Sequence, residues 1–276
     1  METRYSRDPQ SFVGMSTTEI RDEFLVTDLF ALNEIRLVYS SIDRMIVGSA
    51  VPAGQVLSLE AGTELKAEYF AERREIGVFN IGGQGSIIVD GREYAMACQE
   101  MLYIGRGSKD IRFSSADADG PARYYIVSLP AHKDYPTTHS SKAQANRVDL
   151  GTKEAANVRS IYQYIHEGGV PSCQLVMGFT ELVPGNVWNT MTAHTHERRS
   201  EVYLYFNLPG DNVVFHLMGN PQETRHIVVR EGQAVLSPSW SIHAGAGTSY
   251  YSFVWAMGGE NQAFDDMDAA PMDQVA

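Results

Sequence analysis

Cysteine is scarce: Cys98 and Cys173 are the two thiols in 276 residues. Two thiols so far apart exclude a disulfide-stapled scaffold and a thiolate metal cluster, and they read as reduced, structural residues. Basic residues are also few. Lys and Arg total 22 against 34 Asp and Glu, a formal charge of −12. That balance excludes nucleic acid as the main partner, because a phosphate backbone needs a basic face. An anionic small molecule then requires a local arginine or lysine to override the global field. No stretch approaches the roughly 20 apolar residues of a membrane span. Residues 1–10 are polar and mixed in charge, with no apolar run of signal-peptide length behind them. The expectation is a cytoplasmic protein with no membrane contact. Hydrophobic residues make up 43% of the chain, enough for a packed core, and intrinsic disorder is excluded.

What is present is mostly strand. Segments 36–41, 77–81, 85–89, 124–127, 201–206, 212–217, 226–229 and 250–255 are rich in β-branched and aromatic residues. Gly82-Gly83, Asp90-Gly91 and Pro209-Gly210 punctuate them as turns. Strands this closely spaced predict an all-β barrel or sandwich. Two helices are expected. One covers 17–29 with Ser16 or Thr17 as its cap; the other covers 154–166, where Val158, Ile161 and Ile165 recur at helical spacing. A weak internal repeat matches Glu72-Arg-Arg-Glu-Ile-Gly-Val-Phe-Asn80 with Glu197-Arg-Arg-Ser-Glu-Val-Tyr-Leu-Tyr-Phe-Asn207. It predicts two similar β domains, residues 1–135 and 150–276. The polar, aliphatic-poor stretch 136–149 reads as their linker.

The densest run of metal-ligand types is His194-Thr-His196-Glu-Arg-Arg-Ser-Glu201. On a strand His194 and His196 point the same way, and Glu201 opens the next strand. His243, in Gly232-x5-Pro238-x-Trp240-x2-His243, supplies a further imidazole. Three imidazoles and a carboxylate suit Zn, Mn, Fe, Ni or Co, and not Ca or a thiophilic metal.

The two spacings resemble the cupin motifs, with Trp240 where that family has Gly and Gly247 where it has Asn. In the first half Tyr69 and Ala71 fall where the histidine pair would be, and only Glu75 survives, so that copy reads as metal-free. Longer strings narrow the resemblance. Val38-Tyr-Ser-Ser-Ile-Asp-Arg44, Tyr69-Phe-Ala-Glu-Arg-Arg-Glu75, Asn186-Val-Trp-Asn-Thr-Met191, Pro221-Gln-Glu-Thr-Arg-His226, Ser237-Pro-Ser-Trp-Ser-Ile-His243 and Gly259-Glu-Asn-Gln-Ala-Phe-Asp-Asp-Met-Asp268 are similar to the 5-keto-4-deoxyuronate isomerase family, over about residues 23–268. The resemblance implies a bicupin with two jelly-roll barrels, one zinc ion per subunit and a homohexamer. It also implies that His194, His196, Glu201 and His243 are the ligands. The implied reaction is an aldose–ketose isomerisation of 5-dehydro-4-deoxy-D-glucuronate to 3-deoxy-D-glycero-2,5-hexodiulosonate in pectin and uronate breakdown.

Such a reaction needs a base, for which Glu223 and His226 are the candidates, with His216 behind them. It also needs a cation for the substrate carboxylate: Arg225 first, then Arg198 and Arg199. Tyr203 and Tyr205 share the parity of Glu201 and are candidate cavity donors. The three tryptophans read as packing. Two alternatives stay open on spacing alone: an Fe(II) cupin dioxygenase, and a sugar-binding bicupin without turnover.

Overall fold

The computed structural model describes residues 1–276. The chain is all-β, and its contacts divide it into two units. The first comprises 1–4, 28–145 and 164–176; the second comprises 5–27, 146–163 and 177–276. Two segments therefore belong, by contact, to the unit opposite their place in the sequence.

Each unit pairs a seven-stranded sheet with a four-stranded one. In the first, the large sheet runs Glu2–Arg4, Ile35–Ser40, Ile46–Ala50, Tyr124–Pro130, Arg74–Asn80, Met101–Ile104, Thr138–Ser140. The small sheet runs Leu57–Ser58, Ile111–Ser115, Gly85–Val89, Arg92–Met96. Ile76, Val78 and Ile126 of the large sheet meet Ile87, Ile111 and Phe113 of the small one in a single core. Alternate residues of Gly85–Val89 are buried, as a two-layer sandwich requires.

The second unit repeats this order place for place. Its large sheet runs Asn146–Leu150, Arg159–Ile165, Val176–Leu182, Ser252–Gly259, Arg199–Phe206, Ala234–Ser237, Leu25–Val26. Its small sheet runs Trp188–Asn189, Ile242–Gly247, Val214–Asn220, Glu223–Val229. The strands that carry the sequence repeat, Arg74–Asn80 and Arg199–Phe206, hold the fifth place in their sheets.

Three local expectations change. Segment 154–166 holds the strand Arg159–Ile165 and no helix. Ile161, Tyr162, Tyr164 and Ile165 favour a pleated, buried surface, and pairing with Asn146–Leu150 outweighs the helical spacing. The 136–149 stretch is not a bare linker, since Thr138–Ser140 pairs with 101–103 and Asn146–Leu150 forms a strand of its own. The first helix is capped by Ser16, with Glu19 closing a capping box, but it stops at Phe24. Leu25 and Val26 leave it to pair with Val235 and Ala234. No helix is long and apolar enough to cross a membrane.

Trp240 has a structural reason to replace the family glycine. Its ring meets Phe12 and Phe24 edge-on at 5.3 and 6.5 Å, and its indole N–H donates to the Arg7 carbonyl. It fastens the N-terminal helices onto the second unit.

Glu75, the surviving acidic residue of the first copy, is fully buried. Its two oxygens accept from the Tyr103 hydroxyl at 2.9 Å and from the backbone amides of Cys173, Gln174 and Leu175 at 2.7, 2.8 and 2.9 Å. Four donors occupy the carboxylate, so it serves as a clamp on segment 173–175 and has no capacity left for an ion. Truncation strands buried donors. Glu75→Ala is expected to lower stability by about 3–5 kcal/mol in urea unfolding. Glu75→Gln should lie between the variant and the natural chain, because an amide has one accepting oxygen.

Candidate active site

The second unit brings the histidine pair, Glu201 and His243 together. His194 lies on the short strand His194–Thr195, held by Asp268–Ala269. Glu201 lies on Arg199–Phe206, opposite Ser237 and Met257. His243 lies on Ile242–Gly247, opposite Met218 of the small sheet. His194 Nε2 stands 3.1 Å from His196 Nε2 and 3.0 Å from His243 Nε2. Glu201 Oε2 is 3.4 Å from His196 Nε2 and 3.1 Å from His243 Nε2.

These separations test whether the four residues fit a metal. Donors about 2.1 Å from a common centre lie ~3.0 Å apart in an octahedral shell and ~3.4 Å apart in a tetrahedral one. The His194 edges to His196 and His243 and the Glu201 edges to the same two rings lie in that interval. The outer ring nitrogens also fit: His196 Nδ1–H donates to the Asp266 carbonyl at 2.8 Å, and His243 Nδ1 faces the Ser241 carbonyl at 3.4 Å. A carbonyl acceptor at each Nδ1 favours the tautomer with its proton outside and the Nε2 lone pair inside, as a metal ligand needs, although Arg199 Nη2 also stands 3.1 Å from His196 Nδ1. Burial, with the neighbouring His196 and Arg199, pulls the His194 pKa down to about 3, and burial holds His243 well below its ordinary value. Both are neutral imidazoles at pH 7. His194, His196 and His243 together could hold a metal ion, with the buried Glu201 carboxylate beside them.

A cavity of about 260 Å³ opens on His194, His196 and Glu201. Its walls are largely apolar, with Ile161, Phe253, Trp255, Met257 and Phe264 among them; Arg159, Thr180, Thr190, Thr192 and Tyr203 supply the other polar groups. Tyr203 is placed as expected, with its hydroxyl 3.3 Å from Thr190 Oγ1. Burial, with Glu201 nearby, holds its pKa well above the phenol range, so it carries its proton. Trp255 lines the cavity and packs on Phe264 at 5.4 Å, a wall and not only core. Gly178 makes room for that indole, since a Cβ there meets the six-membered ring and the Tyr162 carbonyl.

Other expected residues lie elsewhere. Glu223, Arg225 and His226 sit on the outermost strand of the small sheet, and none lines the cavity. Arg225 pairs with Glu223 at 2.8 Å and donates to the Val13 carbonyl; His226 is exposed against Phe215. Arg198 is held by Asp266 at 2.5 Å and Asp268 at 2.9 Å, and its guanidinium keeps the Asp266 carboxyl below the usual carboxylate range. Arg199 is buried and donates to the carbonyls of Ala263 and Asp266 at 2.6 and 2.8 Å. Both arginines therefore strap segment 260–268, which carries Phe264 and Met267 into the cavity wall. His216 is buried behind Tyr205, its Nδ1 2.7 Å from the phenol oxygen, and is not in the lining.

Sequence reasoning missed Arg159. The signal was the alternation of Arg159 and Ile161 on one face of a strand, hidden by the helical reading of 154–166.

Without the Arg199 fork, two strap carbonyls lose their donors. Arg199→Met is expected to speed amide exchange across 260–268 and to cost about 2 kcal/mol of stability. Hydrogen-exchange mass spectrometry checks both the place and the size of the effect.

The KduI/IolB family model matches residues 26–272. A curated relative from Lachnoclostridium phytofermentans, named 4-deoxy-L-threo-5-hexosulose-uronate ketol-isomerase, is 56% identical over 99% of this chain and 99% of its own. One of the same name from Caldicellulosiruptor bescii is 51% identical over 100% of both chains. Among solved structures, an IolB-like protein from Salmonella typhimurium LT2 superposes with a TM-score of 0.70 at 14% identity, covering 87% of this chain and 94% of that one. That likeness concerns the all-β, cupin-like fold. On full-length identity and family match together, the chain belongs to the KduI/IolB family and is an isomerase.

Proposed function

We propose that the chain converts 5-dehydro-4-deoxy-D-glucuronate to 3-deoxy-D-glycero-2,5-hexodiulosonate in uronate breakdown, with a divalent ion held by His194, His196, Glu201 and His243. The observation that carries this reading is the cluster in which His194 Nε2 stands 3.1 and 3.0 Å from His196 and His243 and Glu201 stands 3.4 and 3.1 Å from the same two rings, with His194, His196 and Glu201 open to one cavity. The names of the full-length relatives supply the substrate class.

The reaction shifts a carbonyl from C1 to C2. A bound ion supplies electrostatic stabilisation of the charge that develops on the two adjacent oxygens, and zinc is the ion of this reading. Around it the protein's own groups bind, orient and exclude water. Tyr203 holds a proton at Oη and donates to a substrate oxygen, oriented by Thr190. Trp255, Phe253 and Phe264 exclude water, which strengthens each polar contact in the cavity. The outer hydrogen bonds of His196 and His243 fix the rings, so little reorganisation is needed during the reaction.

An anaerobic isomerisation assay with metal analysis tests the reading. The expected result is turnover without oxygen, lost on chelation, and a His196→Ala variant with less than about a tenth of the bound metal and roughly 10³-fold lower activity. Oxygen consumption in place of isomerisation, or no turnover from metal-loaded protein, overturns it. A cytoplasmic homohexamer belongs to the same reading; light scattering near six times 30.6 kDa checks the assembly.

A further inference from the structure

Arg159 is the one permanently cationic side chain in the cavity lining. It lies on a sheet strand with Ile161 on the same face, so the backbone fixes its direction. One nitrogen, Nη1, donates to the Asn157 carbonyl at 2.9 Å. No carboxylate pairs with it, although the chain carries 34 acidic residues against 22 basic ones. The other arginines near the site are occupied: Arg198 by two aspartates and Arg199 by two carbonyls. Burial disfavours the charged form of Arg159. A half-buried guanidinium beside an apolar wall, with free donors and no counter-ion, is a place for an anion.

The dimensions agree. Arg159–Ile165 lies three strands from Arg199–Phe206, which carries Glu201. At ~4.8 Å per strand that is about 14 Å between backbones. Side chains on one face of a sheet stand roughly perpendicular to it, so the two groups face the cavity about that far apart. An extended hexose, with C1 and C6 about 6 Å apart at ~1.5 Å per bond, bridges this gap once a hydrogen bond at one end and the donor cluster at the other are added. Thr180, Thr190 and Thr192 offer hydroxyls along the way.

We propose that Arg159 binds the C6 carboxylate of a six-carbon sugar acid whose C1–C2 end lies at His194, His196, Glu201 and His243, and so selects uronates over neutral sugars. The inference rests on the isomerase reading for which end reacts, but carboxylate selection is measurable without turnover.

The test is calorimetric binding of D-glucuronate and D-glucose, which differ at C6, to metal-loaded natural protein, Arg159→Met and Arg159→Lys. Melting temperature and metal content are measured alongside. The natural protein is expected to prefer glucuronate by about 10- to 100-fold, the size of a charge-assisted pair. Arg159→Met should erase that preference while leaving glucose binding and metal content unchanged, and Arg159→Lys should restore part of it. In kinetics, Arg159→Met should raise KM for the uronate more than it lowers kcat. Undiminished preference in Arg159→Met, equal loss for both sugars, or no preference in the natural protein overturns the proposal. If the natural protein fails to isomerise yet Arg159→Met abolishes the carboxylate preference, the isomerase reading falls and the carboxylate site stands.

Discussion

Strand register is the constraint on which the site depends. Glu201, Tyr203 and Tyr205 share one face of Arg199–Phe206, and His243 shares the inner face of its own strand. A slip of one residue would turn every one of these side chains to the other face. The apolar residues of the same strands, buried between two sheets, make such a slip expensive. The core therefore does more than stabilise the unit, because burying its aliphatic residues also sets the 3.0–3.4 Å separations among the donor atoms.

The same scaffold is used in two ways. Arg74–Asn80 and Arg199–Phe206 occupy matching places, and each carries a buried glutamate near its start. Glu201 faces two imidazoles, while Glu75 faces a phenol hydroxyl and three backbone amides. A buried carboxylate needs partners, and in the first unit, which has no histidine pair beside it, protein donors satisfy it. Glu75 serves as a structural clamp, while Glu201 stands at a site open to the cavity.

Around the donors, charge is distributed against the average of the chain. The protein is strongly acidic, yet the cavity lining holds one arginine and one carboxylate, and that carboxylate belongs to the donor set. Neutral His194 and His243, a protonated Tyr203 and apolar walls make a medium in which polar contacts are stronger than in water. The strap 260–268 walls that medium with Phe264 and Met267, and Arg198 and Arg199 hold it in place.

The all-β class, the internal repeat and the metal-type donors were legible in the sequence, because alternation, turn pairs and His-x-His spacing are local patterns that survive any tertiary arrangement. The substrate-side residues were not. Arg225 and His226 are chemically suitable, but an edge strand carries them away from the cavity, and no local pattern tells an edge strand from a central one. Arg159 was hidden because three aliphatic residues happen to recur at helical spacing, and only pairing with Asn146–Leu150 makes the segment a strand. The sequence by itself determined which side chains were available for the chemistry. Sheet order and register decided which of them meet, since both depend on contacts between residues far apart in the chain.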